Sequence, residues 1–147
     1  MTYEERNVIA AILVNLAVVA WFGSRIWTGW DGYAGEDGLV HWARLVLWVI
    51  PVSAVATAVA AILVNILYGI ATGDGSPDTG FDERDRAIRL RGMVATVIVA
   101  SAGFILGLGA LAVGWGALAA FTIVLAGFAL SDLVGNVLRL ALYRRAA

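Results

Sequence analysis

Residues 92–131 form an unbroken run of 40 positions without a charged side chain. As one helix this run would extend roughly 60 Å at about 1.5 Å per residue, about twice the hydrocarbon thickness of a bilayer. It must therefore turn back on itself. Gly114, Trp115 and Gly116 near its middle supply the breaker, which predicts spans over about 93–113 and about 117–139.

The rest of the chain points the same way. Of 147 residues, 61% are apolar and 14% charged, against about half and about a quarter in soluble proteins. Mean hydropathy is +0.87. Residues 8–24 carry no charge and open a span over about 8–27, with Arg25 near its far end. Residues 45–71 are also uncharged and interrupted only by Pro51, which predicts a second span with a local kink. The leader sets Glu4 and Glu5 against Arg6, unlike the basic start of a cleaved signal, so the first span is expected to be retained. The expected fold is all-α: a single domain over 1–147 with four transmembrane helices in a bundle.

Arginine sets the expected orientation. There is no lysine, and Arg6, Arg84, Arg86, Arg89, Arg91, Arg139, Arg144 and Arg145 fall on one side of the predicted spans, against Arg25 and Arg44 on the other. The positive-inside rule makes the richer side cytoplasmic, with both termini. All six tryptophans, Trp21, Trp27, Trp30, Trp42, Trp48 and Trp115, fall at or near the opposite end, as an interfacial belt would.

Two polar segments join the spans. Residues 28–43 space Gly29, Gly32, Gly35 and Gly38 three apart, which reads as a flexible, tightly turning loop. Its acids Asp31, Glu36 and Asp37 lack calcium-loop spacing, and His41 is the one histidine of a chain without cysteine. No metal or cofactor is expected. Residues 72–80 read as a linker and about 80–92 as a juxtamembrane helix with Thr79 and Asp82 at its cap. Asp82–Arg86 and Asp85–Arg89 are i,i+4 pairs in the favourable order. Arg84, Arg86, Arg89 and Arg91 would meet lipid headgroups or a cytoplasmic protein partner.

The stretch DERDRAIRLRG before a glycine- and alanine-rich span, followed by a last helix ending LRLALYRR, resembles a family of small, uncharacterised bacterial inner-membrane proteins. The likeness covers about residues 81–145. It implies a bacterial inner-membrane location and a two-helix hairpin after the charged stretch, and it transfers no catalytic residues.

Within the spans, Thr96, Ala100, Gly103, Gly107, Ala110 and Gly114 alternate steps of four and three, while Gly127, Ser131 and Gly135 repeat every four. Small residues let helix backbones approach where lipid offers no hydrophobic drive. These faces are expected to pack helices together and to support a homo-oligomer, most simply a twofold dimer through the last two spans.

Asp132 is the one acid inside a span, and it shares a helical stripe with Asn136, Arg139 and Tyr143. Asn15 and Asn65 are the other strongly polar span residues, and they lie in copies of one hexapeptide, AAILVN, at 10–15 and 60–65. The flanks of the two copies do not match, so the echo reads as shared composition. Asp132 is expected to be paired by arginine or exposed to a water-filled recess, and the crowd of arginines on its side makes pairing the expectation. No nucleophile–base spacing is present, and no basic excess points to nucleic acid, the formal net charge being −1. The chain thus reads as a non-enzymatic oligomeric scaffold or regulatory membrane subunit. The alternative is an oligomeric channel or transporter for a small ion or solute, built on the polar stripe.

Overall fold

A backbone in hydrocarbon must satisfy its own N–H and C=O groups, which a helix does within one segment. The computed structural model describes residues 3–33, 36–73 and 83–145 and consists of four long helices. They are α1 (Tyr3–Thr28), α2 (Glu36–Thr72), α3 (Glu83–Ala112) and α4 (Ala117–Arg145), with a 3-10 turn at Trp30–Tyr33. Each helix is long and apolar enough to cross a membrane. Their termini suit the helix dipole: Glu4 and Glu5 open α1, Glu83 and Asp85 open α3, and Arg144 and Arg145 close α4.

Residues 28–43 are not one flexible loop. After the 3-10 turn the chain is helical from Glu36, well before the expected start near 45. Gly38 explains why glycine suits a helix here, because a Cβ at this position would lie 2.7 Å from the Gly32 carbonyl oxygen. The first turn of α2 is packed directly on the 3-10 turn. At 37 residues α2 is the longest helix and continues through Pro51. Ser53 Oγ donates to the Ile50 carbonyl at 2.9 Å.

The turn between α3 and α4 falls where the glycines place it. Trp115 N donates to Ala110 O at 3.0 Å and Gly114 N to Leu111 O at 3.1 Å, the paired bonds of a Schellman cap. Gly114 at φ 86° takes the left-handed position, and Gly116 at φ 84° starts α4, its carbonyl accepting Ala120 N at 3.1 Å. Gly114 is exposed with open space around it, so it belongs to the turn and not to the packing seam.

Neighbours run in the order α2, α1, α4, α3. The small-residue faces join α3 to α4 within one chain: a Cβ on Gly103 or Gly127 would lie 2.6 Å from the other's Cα. Gly107 faces Val124 and the Ala120 carbonyl, and Gly135 faces Thr96. Gly103, Gly107, Ala110, Gly127, Ser131 and Gly135 are buried there, while Thr96 and Ala100 are half-buried. Within the chain these faces are thus occupied by its own hairpin. The two hairpins meet through α1 and α4.

The start of α1 and the end of α4 lie at one end of the molecule, where Val8, Ile88 and Tyr143 form a small core. At the far end Trp42 is buried, its ring centroid 6.2 Å from that of Phe121. Trp42 thus ties α2 to α4 and leaves the expected belt, in contrast to Trp27, which is 82% exposed. The linker read over 72–80, the Thr79–Asp82 cap and the Asp82–Arg86 pair fall largely on 74–82, outside the described residues.

Candidate functional site

The apolar helices contain few polar side chains, and a polar group without a partner in apolar surroundings is costly. How these groups are partnered therefore shows where a site can lie. Asp132 stands near the middle of α4 and Asn15 near the middle of α1. Asn15 Nδ2 donates to Asp132 Oδ2 at 3.0 Å, and also reaches the Ala129 carbonyl at 3.3 Å. Asn136, one turn beyond Asp132 and buried, donates to Asp132 Oδ1 at 3.2 Å. Both carboxylate oxygens thus accept amide hydrogens. Asn15 Oδ1 is buried without a hydrogen-bond partner among the described residues.

Arginine does not take the place expected of it. Among the described residues the ion pair is Arg144 with Glu5 at 3.9 Å, and no pair involves Asp132. Arg139 lies seven residues further along α4 and packs against Gly92 of α3, with its Nε buried and without a hydrogen-bond partner among the described residues. A Cβ at position 92 would press on that side chain and force it to move.

Asn65 belongs elsewhere. Its Nδ2 donates to Asn7 Oδ1 at 2.9 Å and to the Ala61 carbonyl at 2.8 Å, and its Oδ1 accepts Arg6 Nε at 3.0 Å. The buried Arg6 guanidinium also lies 3.9 Å from the centroid of the Tyr68 ring. This clamp joins α1 to α2 at the termini end. Sequence reading used Arg6 for orientation alone and passed over Asn7 and Tyr68, although Asn65 and Tyr68, three apart on one helix face, were the available signal.

Tyr143 is in a third place, beyond the apolar stretch of α4. Its phenol donates to the Asp85 carboxylate. Burial, with the Asp85 and Glu4 carboxylates nearby, pushes the phenol up to about 12. The six polar candidates therefore divide: Asn15, Asp132 and Asn136 meet, and Asn65, Arg139 and Tyr143 do not join them. Arg84, Arg86 and Arg91 are exposed on α3, as is Arg89.

Above the Asp132 carboxylate lies a cleft of about 740 Å³ between α1, α2 and α4. Val18 and Phe22 line it from α1, Val49 and Ile50 from α2, and Leu125 and Ala126 from α4. Asn15 and Asp132 form its polar end, and Trp27 and Trp30 stand at the other. The cleft exists because α1 packs against both α2 and α4, and those two meet through Trp42 and Phe121 at the far end. The sequence offered a recess at Asp132 as the alternative to arginine pairing, but gave no sign of the walls that form it.

No protein family model, curated protein or solved structure matches this chain.

Proposed function

We propose that the chain is a non-enzymatic inner-membrane protein with both termini cytoplasmic, acting as a membrane-embedded scaffold or regulatory subunit. The observation carrying this reading is that polar span residues form separate clusters on different helix pairs. Arg6, Asn7 and Asn65 tie α1 to α2, and Asn15, Asp132 and Asn136 tie α1 to α4. A conducting path needs polar groups strung across the bilayer, and here they are consumed in joining helices. Eight arginines at the termini end against two at the other support the orientation. The exposed arginines of α3 offer a surface to anionic headgroups or to an acidic protein partner.

A second reading, a solute pathway, is favoured by one observation: Asp132 faces a cleft rather than an arginine. Liposomes holding the purified protein separate the two. The scaffold reading expects proton and potassium flux equal to that of empty liposomes, and protein-dependent flux abolished by Asp132→Asn would replace it with the pathway.

A further inference from the structure

We propose that the cleft between α1, α2 and α4 binds a lipophilic organic cation, its charged centre at the Asp132 carboxylate and its apolar groups against the cleft walls. This goes beyond the scaffold reading and concerns a different surface from the α3 arginines.

The volume of about 740 Å³ falls within the roughly 300–1,000 Å³ usual for small-molecule pockets. The walls are mainly aliphatic and aromatic, with Ser53, Thr57 and Thr122 interspersed, the hydroxyls of Ser53 and Thr122 donating to their own helices, and the carboxylate and amide stand at one end. Asp132 is exposed into that end and lines it. Its hydrogen-bond donors, Asn15 and Asn136, are neutral amides. They orient the carboxylate and bring no positive charge to it. A carboxylate facing apolar walls takes up a proton or pairs with a cation, and a lipophilic cation is the partner that also covers the walls. Trp27 and Trp30 add aromatic faces at the other end, suited to aromatic or cationic groups. An acyl chain or an apolar helix from a second copy would cover the walls and leave the carboxylate unanswered.

The test uses the full chain in nanodiscs of zwitterionic phosphatidylcholine, with tetraphenylphosphonium as probe and triphenylphosphine oxide as its neutral counterpart. Equilibrium dialysis measures binding, and circular dichroism confirms that each variant keeps its helices. The expected result is saturable binding of one cation per chain, retained in Asp132→Glu and weakened about tenfold or more in Asp132→Asn. Ala126→Trp, which fills the cleft from its exposed wall and leaves the carboxylate intact, should abolish it. Non-saturable uptake overturns the proposal. So does equal affinity in Asp132→Asn, or equal affinity for the neutral phosphine oxide, which would mark a cavity for lipid or another chain. Should Asp132→Asn lose its helices, Ala126→Trp decides, and undiminished binding by that variant overturns the proposal. An inserted protein that fails to bind sinks this inference alone, whereas ion flux sinks the scaffold reading.

Discussion

Asn15 and Asp132, 117 positions apart in the chain, are joined by a 3.0 Å hydrogen bond between the middles of α1 and α4. It is a polar tie between the first two helices and the last two, beside the Glu5–Arg144 ion pair at the termini end. Interhelical bonds of this kind average about 0.6 kcal/mol and reach about 1.7 in membrane proteins. A double-mutant cycle of Asn15→Ala and Asp132→Ala, read by unfolding in detergent, should give a coupling in that range. Strict additivity would mean that the bond does not stabilise the protein.

Gly103 should be the least tolerant position on α3. Gly103→Leu drives a side chain into the Gly127 backbone, and overpacking typically costs about 1–3 kcal/mol. Gly109→Leu on the same helix meets open space and serves as the control. Equal thermal stability of the two variants would refute the close approach of α3 and α4.

Arg6→Lys keeps the positive charge and removes the planar group that lies over Tyr68 and donates through Nε to Asn65. A loss of about 0.5–2 kcal/mol with unchanged orientation is expected. A changed orientation would show that this position acts through charge placement beyond its number of charges.

Because the chain has no cysteine, single cysteines report orientation cleanly. Asp31→Cys and Ala87→Cys both replace exposed residues. An impermeant maleimide should label Asp31→Cys in intact cells and Ala87→Cys after the membrane is opened. The reverse pattern inverts the proposed topology.

Tyr143 supplies a pH dependence. A phenol moved from 10.0 up to about 12 binds its proton more tightly in the folded state. The stability linked to that shift is complete below about 10 and is lost as pH rises towards 12. Phenolate absorbance of the folded protein should show a late step that Tyr143→Phe removes. An unchanged titration in that variant would refute the shift.

Local rules made much of this fold readable. The 40-residue uncharged run and its glycine breaker fixed two helices and the turn between them, because bilayer thickness and left-handed φ values are local constraints. Asn136 with Asp132 was legible as an i,i+4 pair on one helix. The pairing of Asn15 with Asp132 was not, since nothing in spacing tells which helix lies beside which. For the same reason the glycine stripe could be recognised as a packing face without revealing whether its partner was α4 or another chain. The glycines at 29, 32, 35 and 38 misled in a different way. Glycine serves both loops and close contacts, and the Gly38 contact with Gly32 becomes visible only once the turn is built.

The neighbour order α2, α1, α4, α3 has a consequence for how the chain is assembled. Each consecutive pair of helices holds its own interface: the Arg6–Asn65 clamp in the first pair, the glycine seam in the second. What crosses between the pairs is the α1–α4 face with Asn15 and Asp132, the Glu5–Arg144 ion pair, the Val8, Ile88 and Tyr143 cluster, and Trp42 on Phe121. Severed between Gly73 and Glu83, the chain would yield two self-contained fragments able to complement one another when produced together. Duplication or exchange of one hairpin would likewise leave the other's internal contacts untouched, so the two halves are free to diverge as separate modules.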